Sequence, residues 1–459
     1  MSAFRVNRKI LMRGAALAAA AATGLLAGQP LAATKSSEVR QVVTGPVARY
    51  WVDTTTSSGF TMSGMMGGGR PSMGSIMSAA MGGGGPTHTL HLRLGSEQSA
   101  SGDPAADHLP PAALDAGNDL PLYYKPIQVS SGPSTYEPSQ PDDSKPETPH
   151  GKILIFWGCG EHAPKDQPYV IDLSKLTDDT ARLTMFQKMM TPVRLDEVHP
   201  PAPDNSKTFG EWPNEKTKTG VKPDSSLVGS HTVKGNYSPE IDFQLDQTED
   251  FMPAIQVAGN QRDQAGAVPL TWNAIPQSQG WVLTAIGGGQ DTVVLWTSAA
   301  SQVGWMAGAP DYMTSDDIAR LLSDKILLPG SATSCTVPAE VASAAQSLLY
   351  GITAYGGETN MAYPDRPKDP KIPWNIQWET KVRYRSTSGG MLGQDMGGGH
   401  GGGMGGLFGG GHNDDDQSAD SGQSSSSDSS SSDDGKSKKK KKGSMFGDMI
   451  KSAVGSYIP

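Results

Sequence analysis

The sequence predicts a mainly β protein with two β-rich domains, the second packed as a sandwich of sheets with a helical insertion, and a disordered C-terminal tail. Three observations carry this. Short runs of alternating apolar and polar residues recur between residues 34 and 388, the period of half-buried strands. Clusters of Gly, Pro, Asn, Asp and Ser separate them, as turns do. Beyond residue 388 the chain turns into a Gly tract, a Ser/Asp tract and a Lys tract, too poor in apolar surface to pack.

The organisation read from these shifts is a leader over 1–33, a β-rich region over 34–237, a second β-rich region over 238–388, a low-complexity tail over 389–443 and a short amphipathic helix over 444–459. A chain of 459 residues leaves room for two or three domains. Its net charge of −9 argues against general nucleic-acid binding, and no nucleic-acid partner is expected.

At the N-terminus, Arg5, Arg8, Lys9 and Arg13 precede the apolar run AALAAAAATGLLAG, which small residues close at Ala32-Ala33. This is the pattern of a secretory signal cleaved after Ala33, and it places the protein in the periplasm or cell envelope. No Arg-Arg pair is present, so the general export route is expected. In that oxidising compartment Cys159 and Cys335, the two cysteines of the chain, either form one bridge or lie apart as buried thiols.

Taken in order, VRQVVTGPVARYWVDTTT is strand-like, and SGMMGGGRPSMGSIMSAAMGGGGP reads as a loop. THTLHLRLGS follows as a strand with Leu90, Leu92 and Leu94 on one face and His91 and Arg93 on the other. Residues 99–149 read as a long connection. KILIFW is apolar on both faces and is expected in the middle of a sheet. PYVIDLSKL is a further strand, TARLTMFQKMM a short helix, and residues 199–235 a loop.

In the second region SPEIDFQL alternates, with Ile241, Phe243 and Leu245 inward; AVPLTWNAI, GWVLTAIGG and DTVVLWTSA are three more strands. TSDDIARLLSDKIL is a helix, capped by Thr314 or Ser315, with Ile318, Leu321, Leu322 and Ile326 as its apolar stripe. SCTVPAEV, SLLYGITAYGG and WNIQWETKVRYRS complete the strands. At the residue level this region resembles a fibronectin type III-like, immunoglobulin-like sandwich. "VPLTWNAIPQSQGWVLTA" looks like that family's second and third strands, with Trp272 ending one and Gly280-Trp281 opening the next, and "IQWETKVRYRS" fits its closing strand. The resemblance implies an architecture and no particular activity.

Several motifs suggest chemistry. Gly158, Gly160 and Ala163 follow KILIFW at the spacing G-x-G-x-x-A, and Asp178 lies at the distance of a ribose-binding acid. A dinucleotide turn needs a helix directly after it. Pro168 would fall inside that helix and cost about 3 kcal/mol, so a plain strand and turn is expected. Cys159 with His162 could serve as half a metal site or as a nucleophile and base, but the sequence favours a buried or bridged cysteine. Met62, Met65, Met66, Met73, Met77 and Met81, with His88 close behind, are soft ligands at a spacing that suits Cu(I). The competing reading is a Gly/Met loop without ligand, and composition favours it. In the tail, Lys438, Lys439, Lys440, Lys441 and Lys442 precede Phe446 and Ile450, which suggests docking on an anionic surface. The alternative is a solvated linker.

The functional expectation is an exported, non-catalytic protein that binds or organises an envelope component, protein or polysaccharide, with no cofactor. Its rivals are a periplasmic copper-binding protein using the Met-rich loop and an extracytoplasmic hydrolase whose site is not visible in the sequence.

Overall fold

The computed structural model describes residues 40–59, 85–125, 151–175, 193–289, 291–305 and 309–393. The leader, the Gly/Met segment, the helix expected over 180–190, the tail and the terminal amphipathic helix lie outside them.

In the first part of the chain the strands are β1 (Val43–Thr44), β2 (Ala48–Gly59), β3 (Thr87–Ser96), β4 (Ala106–Leu109), β5 (Leu120–Pro121), β6 (Lys152–Trp157), β7 (Tyr169–Asp172), β8 (Thr208–Trp212) and β9 (Gly229–Gly235). The second part begins with β10 (Ile241–Leu245), β11 (Val257–Ala258), β12 (Val268–Trp272), β13 (Gly280–Gly288) and β14 (Thr292–Thr297). Helix α1 (Ser315–Ser323) follows, then β15 (Leu328–Pro329), β16 (Ser334–Val337), helix α2 (Ala339–Ser343), β17 (Ser347–Tyr363), β18 (Trp374–Asn375) and β19 (Trp378–Met391).

One ten-stranded sheet dominates, in the order β7-β6-β14-β13-β17-β19-β2-β3-β8, with β15 paired to β13. Its neighbours are antiparallel except at two joins. There β6 runs parallel to β14 (Leu154 opposite Val294) and β2 runs parallel to β19 (Asp53 opposite Arg383). Those joins link strands from before residue 238 to strands after it. The division between residues 237 and 238 that composition suggests therefore falls inside a continuous sheet. Three smaller sheets, β1-β18, β10-β9-β4-β5 and β11-β12-β16, lie apart from it in pairing.

The main core fills the space between the large sheet and the smaller sheets of β10 and β12. Leu90, Leu92 and Leu94 of β3 are buried in it together with Ile241, Phe243 and Leu245 of β10, as alternation requires. Trp272 of β12 meets Trp281 of β13 with ring centroids 5.3 Å apart, and Trp281 donates its indole N–H to the Gly330 carbonyl at 2.9 Å. On the other face of the large sheet sit two smaller clusters. Ile153, Ile155, Ile171, Val293 and Leu295 gather at the β6/β7/β14 end, and Val282 and Tyr355 pack under Ile318 and Leu321 of α1.

Helix α1 begins where the sequence signals it: Thr314 is the N-cap, its hydroxyl accepting from the Asp317 N–H at 3.0 Å. Three expectations need correction. Residues 199–235 contain β8 and β9, short strands whose ladders are supplied by β3, β4 and β10. Residues 99–149, expected as one connection, contain β4 and β5. The SCTVPAEV strand stops at Val337, because Pro338 has no N–H to continue a ladder and instead precedes α2.

Gly45 turns the chain from β1 into β2 with φ +91°, and a Cβ there would lie 2.2 Å from the Ile376 carbonyl oxygen, so only glycine fits. Gly158 ends β6 with φ +95°, and no helix follows it before β7. Gly158 N–H donates to Thr297 and its carbonyl accepts from the Trp296 indole, both at 2.9 Å. The glycine motif is thus the end of a strand.

Candidate functional site

The alternation that buries Leu90, Leu92 and Leu94 turns the intervening residues to the opposite face. On three adjacent strands this places Trp51, Asp53 and Thr55 (β2), Thr89, His91 and Arg93 (β3) and Lys381, Arg383 and Arg385 (β19) side by side, with Asp53 opposite both His91 and Arg383. A polar strip inside a large sheet is costly unless its charges pair. Here they do.

Asp53, its side chain 6% exposed, is the hub. Arg383 donates Nε and Nη2 to its two carboxylate oxygens at 2.6 and 2.7 Å, and Arg93 donates Nη2 to the same carboxylate. Arg385 donates Nε to the Thr55 hydroxyl at 2.9 Å and Nη1 to Asp311. Lys381 pairs with Glu358 at 2.7 Å. The guanidinium of Arg383 lies between two aromatic rings, 4.7 Å from the Trp51 centroid and 4.4 Å from that of Tyr312, and Arg385 lies 4.8 Å from Tyr312. Burial pushes the Tyr312 hydroxyl up to about 12, so it stays protonated, within 2.8 Å of the Thr55 hydroxyl.

Asp53, Thr55, Arg93, Arg383 and Arg385 floor a cleft of about 500 Å³, walled by Leu195, Val198 and Pro200 on one side and by Asp311, Met313 and Thr314 ahead of α1. The volume suits a small organic ligand. Arg383 and Arg385 each keep one terminal nitrogen uncommitted among the described residues, and Arg93 Nε and Glu358 Oε2 are buried with no hydrogen-bond partner. The cleft lining is charge-mixed: Arg93, Arg383 and Arg385 face Asp53, Asp196, Asp311, Asp317 and Glu358, of which Asp317 is paired with Arg320 and Glu358 with Lys381. Asp311, 71% exposed, stands at the rim. The floor is a preorganised set of charge-assisted donors, each held by a partner that leaves part of the guanidinium fork unused.

The residues singled out in sequence fall elsewhere. Cys159 and Cys335 are joined in a disulfide that spans 176 residues of sequence, with Cα atoms 5.3 Å apart. The bridge ties the turn after β6 to β16, and the Gly160 N–H reinforces it with a 2.9 Å bond to the Thr336 carbonyl. A disulfide leaves no thiolate at Cys159, which removes the Cys159–His162 nucleophile reading. His162 instead faces Glu340 at 3.1 Å on the exposed side of α2. His88 is stacked on Phe251, centroids 4.1 Å apart, and Met62, Met65, Met66, Met73, Met77 and Met81 lie outside the described residues. So do Lys438, Lys439, Lys440, Lys441, Lys442, Phe446 and Ile450. Among the described residues no three His, Cys, Asp or Glu side chains are grouped as a metal site.

His231, a neighbour of Ser230 in a segment expected to be loop, is buried on β9 in a hydrogen-bonded chain. The Leu227 carbonyl is 2.7 Å from its Nε2, which must therefore carry a proton; its Nδ1 then accepts from His108 Nε2–H at 3.1 Å. His108 Nδ1 in turn accepts from the Tyr50 hydroxyl at 2.7 Å. Both rings are neutral and every proton is placed.

Sequence reading missed the arginine cleft. The signal was present in two pieces: His91 and Arg93 opposite the leucines of β3, and Lys381, Arg383 and Arg385 at alternate positions in KVRYRS. Basic residues on one face of a strand imply buried partners only when that strand is internal, and pairing of β19 with β2 is not legible locally. The chain matches no protein-family model, and no curated protein matches it.

Proposed function

We propose that the protein is exported to the periplasm or envelope and there binds an acidic polysaccharide through the arginine cleft, without catalysing a reaction on it. The observation that carries this reading is the row of three guanidiniums, each pinned by another residue and each with donor capacity left over, facing a cleft of about 500 Å³. Pinned forks suit a carboxylate or sulfate, because the side-chain entropy of ordering them is already spent. The hydroxyls of Thr55 and Thr89 and the acids at the rim add both donors and acceptors, as a polyhydroxylated anion requires.

Export rests on the leader pattern of residues 1–33. For residues 238–388 the finer reading is a fibronectin type III-like sandwich. Four strands (β14, β13, β17, β19) face three (β11, β12, β16) across Trp272 and Trp281, an arrangement in keeping with a binding module.

The test is calorimetric titration with a galacturonate trisaccharide and with its neutral galactose counterpart. The uronate is expected to bind and the neutral sugar to bind at least about tenfold more weakly, with Arg385→Gln abolishing the difference. Equal affinity for the two sugars, or none for either, would overturn the reading.

A further inference from the structure

Independent of the cleft, one end of the molecule carries an apolar tip. Five large hydrophobic residues are prominently exposed among the described residues: Val42 (61%), Val43 (48%), Tyr363 (56%), Ile372 (52%) and Val170. The first four gather where the β17–β19 hairpin ends. Val43 of β1 pairs with Trp374 of β18, and the Trp374 N–H donates to the Val42 carbonyl at 2.8 Å. Tyr363, the last residue of β17, stacks on Trp378 with centroids 5.8 Å apart.

The tip is braced. Gln41 donates to the carbonyls of Ile372 and Pro367 at 3.0 and 3.2 Å and accepts from Arg366 Nε at 2.8 Å, while the Trp374 indole donates to the Pro364 carbonyl at 2.8 Å. A chain segment that only needed to be soluble would gain nothing from holding Val, Ile and Tyr outward on so ordered a frame. The surrounding charges favour one kind of occupant. Arg40, Arg366, Lys368 and Lys371 are exposed there against Asp365 and Asp369, a local excess of two positive charges on a chain whose net charge is −9.

We infer that this tip, formed by residues 40–44 and 363–375, docks on an anionic lipid bilayer, its Val, Ile and Tyr side chains entering the headgroup boundary while the four basic residues meet lipid phosphates. Aromatic and aliphatic residues beside Lys and Arg form the composition that partitions to that interface, since the rings tolerate its polarity and the cations answer its surface potential. An acidic protein surface or a second copy of the chain would be the other occupants. The first lacks a hydrocarbon layer for Ile372, and the second would oppose like charges.

The test is vesicle flotation of the mature full-length chain with phosphatidylcholine vesicles, with and without phosphatidylglycerol. The tail is present in every variant, so any difference belongs to the tip. Binding is expected only with phosphatidylglycerol, and the double substitution Tyr363→Ser/Ile372→Ser should weaken it at least about tenfold. Lys368→Gln/Lys371→Gln should weaken it too and flatten its salt dependence. Both pairs are exposed, so the fold is retained, and the circular dichroism spectrum checks this. Unchanged flotation of both variants would overturn the inference, as would sedimentation showing that the tip substitutions dissociate a dimer in the absence of lipid.

Discussion

Tyr50, His108 and His231 form a buried chain of donors and acceptors in which no proton can be added without loss. Protonating His231 would set its Nδ1–H against the His108 Nε2–H across the 3.1 Å contact, and protonating His108 would set its Nδ1–H against the Tyr50 O–H. Burial accordingly holds His108 well below the ordinary histidine value of 6.5, with His231 opposing its charge as well, and burial lowers His231 too. The consequence for stability has a definite sign. Below about pH 6.5 the unfolded histidines take up protons that the folded pair refuses, so the stabilising contribution is complete above that value and is lost as pH falls toward the depressed folded values. The urea midpoint should therefore drop between about pH 7.5 and about pH 5.5. Midpoints that coincide at the two pH values would show that the histidines take up protons in the folded state.

Among the elements, the pair most dependent on a covalent link is the turn after β6 and strand β16. Their disulfide closes a loop of 176 residues, which in the chain-entropy account contributes about 5 kcal/mol. Replacing both cysteines by serine should lower the unfolding free energy by an amount of that order, and reductant should lower the wild-type midpoint similarly. A shift below about 1 kcal/mol would mean that the turn and β16 are held by contacts such as Gly160–Thr336 alone. The elements also show where sequence reading succeeds. GWVLTAIGG corresponds to all nine residues of β13, and TSDDIARLLSDKIL contains α1 with its cap. Both carry their own periodicity and punctuation. Strands β8 and β9 are too short and too interrupted by glycine to announce themselves: TFGEW has Thr, Phe and Trp but breaks at Gly210, GSHTVKG has only Thr and Val as strand formers, and both are strands because open backbone groups on neighbouring strands receive them.

At the scale of the molecule, the parallel joins β6–β14 and β2–β19 weave the two halves into one sheet, so the arginine cleft takes its floor from both. Residues 34–237 and 238–393 expressed separately should each lack a cooperative unfolding transition, because each would expose the edges and apolar faces that the other covers. Their co-expression should restore a soluble complex. A cooperative transition from residues 238–393 alone would show instead that this part is an autonomous domain with the earlier strands added at its rim.

The sequence by itself determined the β-rich character, the alternate faces of β3 and β10, helix α1 with its cap, and the absence of a helix after Gly160, since each follows from periodicity or from proline and glycine within a few residues. Only the tertiary structure decided that Asp53, Arg93 and Arg383 meet, that His108 and His231 share a proton chain, and that Val42 and Ile372 emerge at one tip. The physical reason is the same throughout. Local pattern specifies which face of a strand is apolar, but the partner of that strand is chosen by backbone ladders closed over hundreds of residues, and the chemistry of this protein lies where such partners touch.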